Sequence, residues 1–310
     1  MPRNAGDSRL VARFRRLERL TAVTTHPADS VGRVVSKRAR VLAECLAREA
    51  LTLPYRRSAL KPLKTVRGTK RSTSALVLGN GPSVKSLDWD AVRRAQSNGL
   101  ELIVVNWFPL TPRGQEMTPD VLVLSDPTMG PDRGVDPRNQ RLWEFVRAHP
   151  SVRLAVPVSW FPSVSRIGDL LPRTWFFDDA SLEGWTSSSS PLRPRGYLSL
   201  TVYKALGIAL FLGYERINVL GVDNTMFRGL RVDTENHIHL EDHHFYEKAR
   251  EDQDLSWFCP NGVADYFYDL SLCFLHLRRS FGGHTNIVNL DPDSLVDCFP
   301  KDGDSGLTLS

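Results

Sequence analysis

Short unbroken apolar runs, each closed by glycine, asparagine, serine or aspartate, organise the chain from Ser74 onward. Ala75–Leu78 ends at Gly79-Asn80-Gly81-Pro82-Ser83, and Leu102–Val105 ends at Asn106. Val121–Leu124 ends at Ser125-Asp126-Pro127, and Ile217–Leu220 at Gly221-Val222-Asp223. Four consecutive apolar residues without polar alternation suit strands covered on both faces, as in a parallel sheet. Arg153–Pro157 and Asn286–Asn289 are weaker strands of the same kind. Segments of helical character lie between them: Asp88–Ser97, Gln140–Ala148, Leu200–Leu212 with Gly213 as its C-cap, and Ala264–Arg279 before Gly282-Gly283. Alternation of this kind predicts right-handed βαβ units and an α/β fold with a parallel sheet flanked by helices.

The first 72 residues have a different texture. Leu10, Val11, Phe14, Leu17 and Leu20 fall at helical spacing among arginines, and Val31–Leu51 is a second amphipathic stretch. Arg56–Arg71 is basic and poor in apolar residues, and reads as a linker or exposed arm. Up to Ser72 there are 18 Lys and Arg against 5 Asp and Glu, and beyond it 22 against 30, so the net charge of +5 conceals a basic segment on an acidic core. The expected division is a basic, mainly helical extension over 1–72, a core domain over 73–300 with a lid at about 224–258, and a tail over 301–310. The basic segment suits an anionic membrane surface or an anionic polymer; equally, it suits a solvated helical extension packed on the core. Without interleaved aromatics it does not read as a nucleic-acid site.

With 310 residues, 41% of them hydrophobic and 24% charged, the chain can bury a sizeable core. No run of about 18 apolar residues is present and Met1–Arg19 lacks a signal-peptide core, so the expected address is cytoplasmic, peripheral at the inner face of the plasma membrane if the basic segment binds lipid. Cys45, Cys259, Cys273 and Cys298 are widely spaced, which predicts reduced thiols in place of a zinc site or disulfide framework. Nothing in the pattern fixes the oligomeric state.

Candidate chemistry gathers just after the strands, where open parallel sheets bind ligands. Gly79 and Gly81 allow a tight turn and close ligand approach, while Ser83 or Asn80 can cap the following helix beside a phosphate. This is neither a Walker A loop nor a G-x-G-x-x-G loop. Asn106, Ser125, Asp126 and Asp223 complete a polar edge. Half of the eight histidines fall in Asn236–Tyr246: His237, His239, His243 and His244. A catalytic loop, a surface loop and a metal site are all open for that run. Its spacing fits no zinc motif, so no metal ligand is assigned. Asp88-Trp89-Asp90 and Asp291-Pro292-Asp293 mimic D-x-D metal motifs, but one lies at a helix start and the other in a late loop.

The run Val77–Asp88 resembles the opening of glycosyltransferase family 42 sialyltransferases, and Val105-Asn106-Trp107-Phe108 resembles their second strand end. Thr201-Val202-Tyr203, Ala209–Ile217 and Gly221-Val222-Asp223 are similar to their helix–strand unit. The G-x-G-P-S turn and Asp126-Pro127 also resemble the archaeal hydroxymethylpterin diphosphokinases and the motility-accessory proteins linked to nonulosonate transfer. His243–Tyr246 and Asn289–Pro300 are similar to patches of uncharacterised relatives. The likeness spans about residues 74–300. It implies a Rossmann-like fold of GT-A type, a CMP-nonulosonate donor and a mobile lid. Two lid tyrosines of the family are absent, Thr225, Met226 and Phe227 standing in their place.

From this the expected activity is transfer of an acidic, sialic-acid-like sugar from a CMP-activated donor to a glycan or other hydroxyl acceptor. Gly79, Asn80, Gly81, Pro82 and Ser83 would hold the ribose and phosphate, Asn106, Ser125 and Asp126 would orient sugar or cytidine, and Thr201 and Asp223 would complete the donor site. His244, or His239 in its place, would deprotonate the acceptor. No cofactor is required. The rival is an ATP-dependent diphosphokinase with Mg²⁺ on Asp126 and Asp223, and a third reading is a non-catalytic nucleotide-binding relative.

Overall fold

All six apolar runs are strands, and a seventh joins them. β1 (Ser74–Leu78), β2 (Glu101–Val105), β3 (Val121–Val123), β4 (Arg153–Pro157), β5 (Thr174–Phe177), β6 (Arg216–Leu220) and β10 (Ile287–Asn289) form one parallel sheet in the order β10-β6-β1-β2-β3-β4-β5. Three further strands, β7 (Leu230–Val232), β8 (Ile238–Glu241) and β9 (Asp252–Asp254), form a separate antiparallel sheet after β6. The computed structural model describes residues 30–69, 72–132, 136–196, 200–241, 245, 252–256, 259 and 261–302. The expected helix near Leu10–Leu20, His243, His244, Tyr246 and residues 303–310 of the tail lie outside the described residues.

Side chains alternate strictly across the large sheet, as its period of two demands. Leu76, Leu78, Leu102, Val104, Leu122, Leu154, Val156 and Phe176 face one layer of apolar residues, which includes Val92 and Ala95 of α2 (Trp89–Ser97) and Leu142, Trp143 and Val146 of α3 (Pro137–Ala148). Ala75, Val77, Ile103, Val105, Val121, Val123, Ile217 and Val219 face the other, with α4 (Thr201–Leu212) and the end of α5 (Val263–Phe281). The result is a doubly wound, Rossmann-like α/β fold. Gly213 ends α4 in the left-handed conformation (φ 87°), as its position after Leu212 predicts.

The expected linker is helical from Arg56 to Thr65. α1 runs from Val31 through Thr65, across Pro54 and Pro62, and packs along the β5 edge. Its apolar residues are few but correctly spaced: Tyr55, Ala59 and Leu63 recur every four positions, with Ala59 and Leu63 fully buried. Burying Leu63 contributes about 2 kcal/mol, enough to offset much of the cost of one helical proline. Arg56 is half-buried and turns to Asp178 and Glu49 in place of reaching into solvent. Among the described residues, no helix is long and apolar enough to cross a membrane.

Candidate functional site

The strand order reverses between β1 and β6: the chain moves outward from β1 to β5, then returns to lay β6 on the other side of β1. Loops leaving these neighbours diverge and leave a crevice at their carboxyl ends. Gly79, Gly81 and Gly221 let the two loops touch. A Cβ on Gly79 would lie 2.2 Å from the Gly221 carbonyl oxygen, and one on Gly81 would lie 2.4 Å from Asp223 Oδ2. The Gly79 amide donates to the Leu220 carbonyl (2.8 Å) and the Gly81 amide to that of Gly221 (3.0 Å).

Ser83 and Asp223 lock this contact. The Ser83 amide donates to Asp223 Oδ2 at 3.0 Å, its hydroxyl donates to Asp223 Oδ1, and the Gly221 amide donates to Ser83 Oγ at 3.1 Å. Neither Ser83 nor Asn80 therefore caps the following turn. Pro82–Ser86 is a short 3-10 helix, its Ser83 amide is covered by Asp223 from the neighbouring loop, and α2 begins later with Asp88 as its cap. Burial pushes the Asp223 carboxyl up from its ordinary value, the Ser83 bonds pull it down, and the Asp291 carboxyl beside it pushes it up again.

Asn80, Gly81, Pro82, Lys85, Asn106, Asp223 and Arg228 line the crevice, whose volume is about 340 Å³. Asn106 holds a left-handed backbone (φ 52°), which asparagine tolerates better than most residues. The side-chain carbonyl oxygens of Asn80 and Asn106 are buried and have no hydrogen-bond partner among the described residues. A buried amide oxygen without a donor costs roughly 1–3 kcal/mol, and a ligand N–H or O–H would recover that. Lys85 and Arg228 are exposed cations at the rim. The chain beyond β8 touches the same loop: the Phe245 amide donates to the Asn80 carbonyl at 3.0 Å, and the Phe245 ring packs 6.2 Å from that of Phe108.

Ser125 and Thr201 belong to an adjoining cluster. Their hydroxyls lie 2.7 Å apart, and Lys204, one turn into α4, donates to Ser125 Oγ at 2.8 Å. Lys204 is only 9% exposed. Burial, and then the positive Arg195, push its ammonium down from 10.5 to about 7. Arg195 is 2% exposed, packs its guanidinium 5.1 Å from the Phe177 ring centre and donates to the Asp178 carbonyl at 2.7 Å. Asp178 and Asp179, just past β5, receive Arg56 and Arg48 from α1. Thr201 sits between the crevice-lining Leu200 and Val202, so crevice and cluster share a wall.

The structure thus brings Gly79, Asn80, Gly81, Pro82, Ser83, Asn106 and Asp223 together, and sets Ser125 and Thr201 beside them. Asp126 is occupied as an N-cap, its Oδ1 accepting from the Thr128 amide at 2.8 Å. Asp88 and Asp291 are similarly used by backbone amides two or three residues on. His239 lies on β8, its Nε2 2.8 Å from Asp233 Oδ2, while His244 is outside the described residues. Lys85, Lys204 and Arg228 were not assigned from sequence. Lys85 is three residues beyond Pro82 and could have been; Lys204 sits in an apolar helix, where a lone lysine among buried neighbours is the one available signal.

No family model matches this chain, and no curated protein matches it. Among solved structures, the MAf glycosyltransferase from Magnetospirillum magneticum AMB-1 is similar, with 15% sequence identity and a TM-score of 0.47 over 78% of this chain and 35% of that one. This chain thus spans about a third of the length of that protein.

Proposed function

We propose that this chain is a glycosyltransferase that takes an acidic sugar from a CMP-activated donor. The observation that carries the reading is the pair of buried, unpartnered amide oxygens of Asn80 and Asn106 in a crevice at the switch point. They accept hydrogen bonds from the amino and hydroxyl groups of a nucleoside. Lys85 and Arg228 at the rim receive its phosphate, and Ser125, Thr201 and Lys204 receive the donor carboxylate. The donor class itself comes from the sequence resemblance.

In the transfer, the bond from the anomeric carbon to the phosphate oxygen breaks and its electron pair leaves with CMP. The acceptor oxygen bonds to that carbon, and its proton passes to a base. The base role is assigned to His244, with His239, whose Nε2 meets Asp233, as the alternative. The diphosphokinase reading is less well supported. It needs Asp126 and Asp223 for Mg²⁺, yet both Asp223 oxygens accept from Ser83 and Asp126 caps its own turn. The test is release of CMP from a CMP-nonulosonate donor. Release without added Mg²⁺, lost in His244→Ala, is expected. Turnover of ATP alone, and only with Mg²⁺, would replace this reading with the rival.

The acidic partner of the basic segment belongs to the same proposal. Arg57, Lys61, Lys64 and Arg67 follow one face of α1 and its end, opposite Ser187–Ser190 and Arg193, around a groove of about 1190 Å³. None of these five cations has a carboxylate partner among the described residues. This is where the chain meets an acidic membrane surface. Co-sedimentation with phosphatidylglycerol vesicles should fall with salt and with Lys61→Glu plus Lys64→Glu. Binding indifferent to both would remove the membrane from the account.

A further inference from the structure

The small antiparallel sheet has two unlike faces. Ile238, Leu240 and Leu230 pack with Cys259 and Tyr266. His239 alternates with these residues on β8 and so stands on the opposite, polar face, and His237 lies just before the strand. Asp233 closes the β7–β8 turn: its amide donates to the His237 carbonyl at 3.0 Å, and Asn236 adopts φ 64° within the turn. The two Asp233 oxygens then divide their work. Oδ1 accepts from the amides of Glu235 (3.0 Å) and His237 (2.7 Å), which fixes the carboxylate on the turn. Oδ2 faces the imidazoles, 2.8 Å from His239 Nε2 and 3.4 Å from His237 Nδ1.

We propose that Asp233, His237 and His239 form a transition-metal site of the zinc class at the tip of the lid hairpin. One ligand atom from each residue lies within 4.8 Å of the other two. An ion about 2.0–2.2 Å from imidazole nitrogen and carboxylate oxygen holds its ligands a little over 3 Å apart, so the site closes on an ion with shifts of an ångström or less. Two imidazoles with one carboxylate suit Zn²⁺ or a neighbouring first-row ion and not Mg²⁺ or Ca²⁺, which take oxygen ligands. Spacing in sequence hid the set, because the acid comes four and six residues before the histidines and reaches them across a turn.

The surroundings fit the same reading. Asp254 is paired directly with His239 across β8 and β9, on the same face. It is placed to orient a ligand. The hairpin begins at Gly229, beside the crevice-lining Arg228, and its two strands touch there: a Cβ on Gly229 would lie 2.0 Å from the Glu241 carbonyl oxygen. An ion at the tip fastens the far end of a hairpin whose near end borders the crevice. The inference stands apart from the transferase reading, since it concerns metal binding alone.

The test uses the full chain, stripped with a chelator and titrated with Zn²⁺ by calorimetry and with Co²⁺ by visible absorption. One equivalent is expected, without a thiolate charge-transfer band. His237→Ala and His239→Ala should each weaken binding by about 100-fold or more, and Asp254→Asn by about 10-fold. His237 is 55% exposed, so its variant keeps the fold, which circular dichroism checks. His284→Ala, at an exposed histidine outside the hairpin, should bind as the parent does. Absence of saturable binding, a thiolate band, or full binding by His237→Ala would overturn the assignment.

Discussion

The switch-point crevice and the charged cluster beyond β3 share the wall at Thr201 but are built in opposite ways. The crevice is made of backbone and short side chains, Gly79, Gly81, Asn80 and Asn106, pressed together by one Ser83–Asp223 latch. The cluster is made of charged side chains, Lys204, Arg195 and Asp178 buried together with the half-buried Arg56 of α1. A contact made of backbone fails when atoms are added to it. One made of buried charge resists its own ionisation and responds to pH.

The largest effect is therefore expected at Gly79. Gly79→Ala drives a methyl group into the Gly221 carbonyl, where neither side can move without parting the loops. A stability loss of about 1–3 kcal/mol and loss of nucleotide binding are expected, read by urea denaturation and calorimetry. Lys204→Met should do the reverse. It removes a buried cation whose pKa is pushed down to about 7, and should stabilise the fold at pH 7 by about 1–3 kcal/mol while lowering donor affinity. The sign follows from linkage. Between its folded value and the ordinary lysine value of 10.5, the unfolded chain binds the extra proton, so parent stability rises with pH there, and the variant lacks that rise.

Asp291→Asn sharpens the comparison from the crevice side. The Asp223 carboxyl is raised, so its contribution is fully present below the ordinary carboxylate value of 3.8 and is lost as pH rises through its higher folded value. Removing the neighbouring charge should stabilise the protein by about 1 kcal/mol at pH 7 and have no effect near pH 3, as denaturation at both pH values would show. The smallest change in stability is expected for Asn80→Ala, whose side-chain oxygen has no partner to lose. It should leave the melting temperature within a degree or two while weakening nucleotide binding by about 10-fold, close to the value of one hydrogen bond.

The same contrast decides what could be read in the sequence. Six of the seven parallel strands announce themselves as apolar runs, and the crevice follows because its residues sit at the ends of those runs. β5, Thr174–Phe177, escaped because Thr174 and three aromatics between polar loops do not form an aliphatic run. α1 escaped beyond Arg56 because its inward column, the half-buried Tyr55 with the buried Ala59 and Leu63, is one residue wide and surrounded by cations. Lys204, Arg195 and the Asp233–His239 set depend on pairings across turns and strands that spacing along the chain does not reveal. Capping, too, was assigned to the wrong groups: Ser83 is tied to Asp223, 140 residues away.

The most direct measurement is a calorimetric titration of the full chain with CMP, UDP, ATP and GTP, each with and without Mg²⁺, alongside Asn80→Ala. The account predicts saturable binding of CMP that does not depend on Mg²⁺ and is weakened by the substitution. Binding of ATP alone, and only with Mg²⁺, or an affinity for CMP that Asn80→Ala leaves untouched, would contradict it.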